Sequence, residues 1–534
     1  MLRLLLMQAR RDRITLPIWI AGAALMAYAS AAGAHVVFDT NAAREQFMRL
    51  SVAEPTLLAL RGIPDGASTA SYVNFQVFTY LAVLAGLMST FLAVRHSRAD
   101  EERGRSELAL ASPIRRTAPL AATVVLGLLA NSALGAAVAL SFIVGGLDAR
   151  GSWLSGLAVA AVGVTFLGVG AVAAQAAATS RSANAIGASA VGLAFLLRAV
   201  GDAGGTPTAS GLSISSAWPS WVSPIGWAQH VLGFTRQDLG PLALAGVAAT
   251  LMIAIALIAQ SRRDLGSSLL RERLGPAEGS LGSHIGLAWR EQVPTLIGWA
   301  MGAVLMGALA GSLADRIANS NVAPDLEKIM RTYVPGGKGE LIDVLIVAIV
   351  GIAGVLAAAA GTQPLIRARS EEGDGRTELV LAGPVGRVRW LVGYLIVALA
   401  SAVLVCLSAG LAAGVVFLAN GSAGSRFWSS LAAGASQLPA ALVFIAITAA
   451  ILVLVPRLTI PLGWLVLALG FTIGQFGGLL GLPDWVRDIS PFAHTPGIPP
   501  LEGADWTGAW MLIAIAAAMF ALAIAAASRR QLTS

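Results

Sequence analysis

Charged residues are scarce in this chain, and their scarcity excludes a soluble globular protein. They make up 12% of the 534 residues, whereas 56% are hydrophobic and the mean hydropathy is +0.74. Soluble domains contain about 25% charged residues. The composition therefore predicts a protein whose solvent is largely the lipid bilayer.

Cysteine, histidine and lysine are also rare, which excludes several kinds of site. Cys406 is the only cysteine, so a disulfide or a cysteine-based metal site cannot form. The histidines are scattered without the spacing of metal ligands. The only lysines are Lys328 and Lys338. The PGGKGE stretch over residues 335–340 lacks both the first Gly and the Ser or Thr of a Walker A loop. We expect no metal site, no catalytic residues and no ATPase within the chain.

Apolar stretches of roughly 20 residues, the length that a helix needs to cross a bilayer, recur along the chain. Ala and Gly dominate them, as in the Gly298/Gly302 and Gly307/Gly311 pairs, and favour close helix packing. The sequence predicts an all-α polytopic membrane protein with twelve transmembrane helices. The predicted spans cover residues 15–36, 72–94, 118–146, 154–178, 184–201, 240–260, 292–313, 342–362, 390–419, 430–455, 460–481 and 508–527.

The distribution of arginine predicts the orientation of these spans. Short loops rich in basic residues stay in the cytoplasm. The main arginine clusters all fall on one side of the twelve-span arrangement, and the opposite loops are richer in acids. Both termini are therefore expected in the cytoplasm. The net charge of +7 follows from this bias and does not indicate nucleic-acid binding.

The sequence contains an internal repeat, and each copy covers about half of the chain. GRSELALASP at residues 104–113 matches GRTELVLAGP at residues 375–384 at seven of ten positions, and the entries to the first and seventh spans match at Trp19/Trp299 and Gly22/Gly302. Repeats with an even number of spans enter the membrane in the same direction, so we expect two parallel six-helix halves with a path between them. The predicted organisation is a first half at 1–260, a cytoplasmic linker at 261–286 and a second half at 287–534.

The repeated segment between the second and third spans of each half gives the most specific indication of function. Its acids are predicted to open a short helix that carries Leu108 and Ala111 on one face and stops before Pro113. Such a small amphipathic helix suits a groove on a soluble partner. The predicted docking residues are Glu101, Glu102, Gly104, Arg105, Glu107, Leu108, Ala111 and Pro113, and in the second copy Glu371, Glu372, Gly375, Arg376, Glu378, Leu379, Ala382 and Pro384.

With these segments the chain resembles the permeases of ABC type 2 exporters, whose corresponding loop is a coupling helix on the nucleotide-binding subunit. It looks most like the fused twelve-span permeases of actinobacterial polyketide-antibiotic and tetronasin exporters, which carry the Arg-Arg-Asp-Leu-Gly stretch seen at residues 262–266. The resemblance implies a type V exporter fold and two copies of a separate ATPase subunit that bind ATP and Mg²⁺. It also implies outward transport of hydrophobic or amphiphilic compounds such as antibiotics.

Polar and aromatic residues in two spans are candidates for the transport path, since the resemblance places the second and fifth spans of each half around it. Gln76, Tyr80 and Thr90 share a helical face in the second span. Interhelical hydrogen bonding is the alternative explanation. The candidate path residues are Phe75, Gln76, Thr79, Tyr80, Phe471, Thr472 and Gln475.

Other interpretations of the chain remain open at the level of sequence. The repeated segments could be solvated loops that were duplicated with their spans. A proton-coupled secondary drug transporter also has twelve spans in two parallel halves. The sequence argues against it because no acid lies deep in a predicted span, where proton coupling normally needs one. A membrane-embedded enzyme would need a convergent set of reactive side chains, and none is visible.

Overall fold

The computed structural model describes residues 1–37, 40–270, 282–318, 341–421, 424–476, 483–496 and 506–529. These residues are nearly all helical and divide into two compact units, residues 1–275 and 276–534. Each unit is described on its own.

The first unit contains twelve described helices and one small ribbon. Its strands Thr206–Pro207 and Ile214–Ser215 pair antiparallel, and a 3-10 helix covers Trp218–Val222. The helices are α1 (Leu2–Arg11), α2 (Thr15–Val37), α3 (Asn41–Ala53), α4 (Pro55–Arg61), α5 (Thr69–Arg95), α6 (Arg98–Glu102), α7 (Arg105–Leu110), α8 (Ala118–Val144), α9 (Ala149–Ala176), α10 (Ser180–Ala203), α11 (Pro224–Gln229) and α12 (Gly240–Arg262).

Local sequence explains where several of these helices begin. The Ser68 hydroxyl accepts from the backbone N–H of Ser71 at 3.0 Å and caps α5, and the Asp148 carboxylate accepts from Gly151 N–H at 2.8 Å and caps α9. Thr179 forms a reciprocal capping box at the start of α10. Each side chain satisfies a donor that the first turn of a helix leaves free.

Helices α5 and α9 form the centre of the first unit. The most apolar segment of each is 72% buried, and α9 packs on α5, α8, α10 and α12. Glycines allow the closest approach: a Cβ added at Gly135 of α8 would lie 2.6 Å from the Gly156 carbonyl oxygen of α9. Packing without gaps replaces the hydrophobic effect as the stabilising force between helices in lipid.

The second unit contains nine described helices and two 3-10 helices, at Pro456–Leu458 and Pro491–His494. Helix α13 packs on α14 and α16, and α18 packs on α14 and α21. The helices are α13 (His284–Ala318), α14 (Leu341–Gly373), α15 (Arg376–Leu381), α16 (Arg387–Ala419), α17 (Gly424–Ala435), α18 (Leu438–Leu454), α19 (Thr459–Phe476), α20 (Asp484–Arg487) and α21 (Thr507–Arg529).

Eleven helical stretches in the described part of the chain are long and apolar enough to cross a membrane. The chain is therefore a multi-pass, nearly all-helical membrane protein. The predicted span 342–362 coincides with α14, whose side chains are described from residue 351 onward, and the count of twelve stays a prediction. Residues 477–481 of the predicted span 460–481 lie outside the described residues.

Two boundaries differ from the sequence prediction. The predicted span 430–455 belongs to two helices, α17 and α18, which are interrupted at Ser436 and Gln437. Hydropathy alone could not show this break because both flanking stretches are apolar. A separate helix, α1, precedes the first span, and the sequence prediction placed no helix before residue 15.

Candidate functional site

The two repeated segments, residues 104–113 and 375–384, fold in the same way. Each begins with a left-handed glycine, Gly104 at φ +69° and Gly375 at φ +74°. A six-residue helix follows immediately, α7 in the first unit and α15 in the second. Only glycine adopts this conformation without steric cost, so the retained glycines set the angle at which each short helix leaves the preceding one.

Both short helices present the same apolar side chain to solvent. Leu108 is 78% exposed and Leu379 is 79% exposed. A large side chain at this exposure gains nothing from burial within its own unit. The neighbouring predicted docking residues that are also exposed are Arg105, Glu107, Ala111 and Pro113 in the first segment, and Arg376, Glu378, Ala382 and Pro384 in the second.

The acids before the first short helix lie elsewhere than the sequence predicted. Glu101 and Glu102 belong to α6, which Arg103 and Gly104 separate from α7, so they do not open the exposed helix. The Glu101 carboxylate is buried and accepts from Arg98 at 3.0 Å and from Arg263 at 2.5 Å. Glu102 is exposed and accepts from the backbone N–H of Ser180 at 2.6 Å.

The buried Arg98, Glu101 and Arg263 form a triad that connects the first segment to the ends of two long helices. Arg98 Nε donates to the carbonyl of Ala174, near the end of α9, at 3.0 Å. Arg263 Nε donates at 3.1 Å to the side chain of Gln175 on the same helix. Arg263 follows the last residue of α12. A displacement of α6 would therefore act directly on α9 and α12.

A second ion-pair cluster connects the region around α6 to the end of α1. Asp100 accepts from Arg11 at 2.7 Å and lies 3.5 Å from Arg105. Asp12 pairs with Arg95 and lies 2.6 Å from His96 Nε2. Burial raises the pKa of Asp12, but the hydrogen bonds and charges of His96 and Arg95 outweigh it and hold that pKa below its ordinary value. Asp12 is therefore an ion-pair partner at neutral pH.

The second segment has a different set of ion pairs behind it. Glu371 and Glu372 lie in the last turn of α14 and are buried. Glu371 accepts from Arg367 at 2.8 Å and from the Tyr394 hydroxyl at 2.5 Å. Glu372 lies 3.4 Å from Arg369. Glu101 in the first half and both Glu371 and Glu372 in the second half face inward. Glu102 is exposed beside the short helix of the first half.

A shallow cavity adjoins the second short helix. Its volume is about 420 Å³, and Glu378 and Arg387 contribute charges of opposite sign. A concave surface with one apolar wall suits an inserted side chain of a partner. The residues that line it are Glu378, Leu381, Ala382, Val385, Gly386 and Arg387.

The structure divides the candidate path residues of the first unit into two groups. Phe75 and Thr79 are buried, and the Thr79 hydroxyl donates to the Arg61 carbonyl at 2.7 Å and accepts from Gln229 at 2.9 Å. Gln76 is half-buried and Tyr80 is 43% exposed. These two begin the only open stripe on an otherwise enclosed helix, which continues through Val83, Leu84, Leu87 and Phe91.

The other path candidates differ in their exposure. Thr90 is buried and its hydroxyl donates to the carbonyl of Leu87, one turn earlier. Phe471 is half-buried and Thr472 is exposed on α19. The side chain of Gln475 lies outside the described residues.

Sequence reasoning missed a fully buried ion pair in the fifth helical span. Arg198 and Asp202 lie one turn apart near the end of α10, with both side chains at 0% exposure and 3.3 Å between them. Arg198 also donates to the carbonyl of Ala59 at 2.6 Å, near the end of α4. Asp202 accepts from Ser216 and Ser220. The i, i+4 spacing of opposite charges was the available signal. Asp202 lies one position past the predicted span 184–201, near the end of α10 and not deep within the span.

Among the described residues, His, Cys, Asp and Glu side chains form no group of three that could hold a metal ion. Cys406 is buried in α16.

Comparison with known proteins gives two matches. Residues 281–527 match a family model described as the C-terminal domain of the multidrug efflux system permease Rv1217c. The chain is also 32% identical over 542 residues to the multidrug efflux system permease protein Rv1217c of Mycobacterium tuberculosis (strain ATCC 25618 / H37Rv). That alignment covers 99% of this chain and 94% of the relative.

Proposed function

Because the chain belongs to the family of the multidrug efflux system permease Rv1217c, we propose that it is the transmembrane permease subunit of an ATP-binding-cassette exporter. A separate ATPase subunit, present in two copies, binds ATP and Mg²⁺ and docks on the repeated segments. The cargo is a set of hydrophobic or amphiphilic compounds that leave the cell. The permease lies in the cell membrane with both termini in the cytoplasm.

The matched exposure of Leu108 and Leu379 supports two docking sites of the same kind. Each leucine follows a glutamate on a helix that a left-handed glycine turns away from its unit. An apolar anchor with a charged neighbour is the pattern by which a short helix binds a groove. Two such helices on one permease match two ATPase subunits.

Charge reversal on the short helices tests the docking proposal. Glu107→Arg with Glu378→Arg should reduce ATPase stimulation and transport while the permease still folds, because exposed charges contribute only about 0.2 to 1 kcal/mol to stability. Glu45→Arg is the matched control, since Glu45 is exposed and pairs with Arg49 one turn away on α3. The measurement is copurification of the ATPase and its activity in lipid nanodiscs. An unchanged complex and unchanged activity in the double variant would refute the docking assignment.

The open stripe of α5 supports a path for loosely recognised apolar cargo. Gln76 and Tyr80 offer hydrogen bonds and aromatic surface, and the stripe continues with three aliphatic side chains and Phe91. Pockets of this composition bind ligands mainly by apolar contact with a few polar groups. Broad selectivity follows from the small number of directional contacts.

Drug resistance in a sensitive host tests the path. Tyr80→Ala should change the rank order of resistance to several hydrophobic compounds. Tyr28→Ala is the matched control because Tyr28 of α2 is 44% exposed and Tyr80 is 43% exposed. The same rank order in wild type and Tyr80→Ala, with full expression of both, would contradict the assignment.

A further inference from the structure

Helix α1 is held against the first unit by its inner face. The Gln8 side-chain amide is buried and donates to the carbonyl of Pro119 at 3.3 Å and to the Thr123 hydroxyl at 3.0 Å, both in the first turns of α8. Arg11 at the end of α1 pairs with Asp100 at 2.7 Å. These contacts fix which face of the helix points outward.

The outer face of α1 has an apolar edge beside a basic edge. Leu2 is 68% exposed and Leu6 is 50% exposed, one turn apart on one edge. Arg3 and Arg10 are exposed along the neighbouring edge. The helix contains no Asp or Glu, so no charge within it neutralises the two arginines.

The position of α1 in the chain places this face at the membrane surface. Helix α2, the first candidate span, begins at Thr15, only four residues after α1 ends. Ile14 and Ile18 at this junction are 64% and 65% exposed, as expected for side chains that contact lipid. A basic amphipathic helix at such a junction lies in the interface plane with its apolar edge in the acyl chains.

A shallow cavity on this face has a matching composition. Its volume is about 470 Å³, and both apolar and basic side chains line it, namely Arg3, Leu6, Met7, Arg10 and Arg11. We propose that the outer face of α1 is a binding site for an anionic phospholipid, with Arg3 and Arg10 contacting the phosphate and Leu2 and Leu6 contacting the acyl chains.

The second unit does not repeat this arrangement. The repeat aligns Arg10 with Arg290, so Glu291 stands where the first unit has Arg11. Glu291 pairs with Arg367 at 3.1 Å, and α13 runs on as one helix through this region. In the same register Gly282, Ser283 and Gly286 stand where the first unit has Leu2, Arg3 and Leu6, so the described residues 282–291 do not repeat the proposed lipid contacts.

Native mass spectrometry of the purified chain tests the lipid preference without any ATPase. The protein is exchanged into phosphatidylcholine containing a small fraction of phosphatidylglycerol, and the retained phosphatidylglycerol is measured. A basic residue near an anionic surface contributes about fivefold to binding, so Arg3→Gln with Arg10→Gln should weaken phosphatidylglycerol retention by about 25-fold. Arg150→Gln with Arg457→Gln removes two exposed arginines elsewhere and should retain the lipid. Equal retention in the two double variants would overturn the proposal.

Depth measurement tests the same site in a chain that keeps both arginines. A spin label on Leu6→Cys, in a Cys406→Ala background, should collide readily with oxygen dissolved in the bilayer and poorly with a water-soluble nickel reagent. A label at Leu6 that is accessible mainly to the nickel reagent places α1 in water and refutes lipid contact. Phosphatidylcholine retained as strongly as phosphatidylglycerol by the wild-type chain contradicts recognition of the anionic headgroup.

Discussion

At the scale of single residues, glutamates six positions apart in one loop have different environments. Glu101 lies between Arg98 and Arg263 with 4% of its side chain exposed, whereas Glu107 is exposed on α7. A buried carboxylate is stable only with its cationic partners, and each partner depends on it in turn. The same residue type therefore supports the fold at one position and a surface at the other.

Replacing Glu101 should destabilise the first unit. Glu101→Gln removes the charge that neutralises two buried guanidinium groups, and breaking a buried pair costs about 3 to 5 kcal/mol. We expect an apparent Tm lower by about 5 °C or more. Glu107→Gln is the control and should leave Tm within about 1 °C, since exposed charges contribute little. Scanning fluorimetry on the tryptophans measures both, and equal Tm values for the two variants would show that the triad does not support the fold.

Asp65 supplies a pH prediction outside the spans. Burial raises the pKa of Asp65 to about 6, although a hydrogen bond from Thr235 and the charge of Arg236 oppose the shift. The folded protein thus binds this proton more tightly than the unfolded chain does. Its contribution to stability is present below about pH 4 and is lost as pH rises through 6.

The wild-type protein should therefore gain less stability than Asp65→Asn when the pH is raised from 5 to 7.5. The expected difference is about 1.4 kcal/mol, because a folded pKa of about 6 changes the proton-binding free energy by about one pKa unit between pH 5 and 7.5. Comparing the pH dependence of Tm in the two proteins cancels the titration of every other group. If both proteins respond equally to pH, burial does not control the ionisation of Asp65.

At the scale of helices, two similar glycine pairs in α13 have different surroundings. A Cβ added at Gly307 would lie 2.0 Å from the Ala409 carbonyl oxygen of α16, and one at Gly311 would lie 2.8 Å from the Ala413 carbonyl oxygen. At Gly298 the same atom would meet nothing within 4 Å. Only the second pair lies in the contact between α13 and α16.

Gly307→Ala should therefore separate these helices, because the obstacle is backbone and cannot rotate away. We expect a loss of about 1 to 3 kcal/mol, the usual cost of overpacking, seen as a lower Tm and lower yield. Gly298→Ala makes the same change in the same helix and should be neutral or slightly stabilising. A Gly307→Ala protein as stable as Gly298→Ala would mean that α13 and α16 do not pack this closely.

At the scale of the whole molecule, the orientation predicted from arginine can be tested by labelling. In a Cys406→Ala background, Ser112→Cys in the first repeated segment should react with a membrane-impermeant maleimide only after the cytoplasmic side is opened. Ser215→Cys, exposed on the small ribbon, should react in intact cells. Ser112 follows the C-terminal end of α5, and Ser215 follows the C-terminal end of α10. The predicted topology places these two ends on opposite sides of the membrane. The reverse pattern would overturn the positive-inside assignment.

The class of the protein, most of its helices and the location of the repeated segments could be predicted from the sequence. Hydropathy over about 20 residues is a local property, and a duplicated decapeptide is visible without coordinates. The exposed short helix with Leu108 follows from that local pattern too, since a left-handed Gly104 and Pro113 bound it on either side. Family membership rests on the same linear information.

Which side chains are exposed to a partner or a ligand depends on tertiary contacts and could not be predicted from the sequence. The facing of Glu101 toward Arg263, 162 positions away, depends on where α12 ends in space. Tyr80 is exposed and Thr79 is buried because neighbouring helices cover the face of α5 that carries Thr79 and leave Tyr80 open. Gly307 is packed and Gly298 is open because α16 approaches α13 closely at Gly307 and not at Gly298. In a membrane protein the lipid-facing and packed faces are both apolar, so helical periodicity is weak and the sequence alone cannot distinguish them.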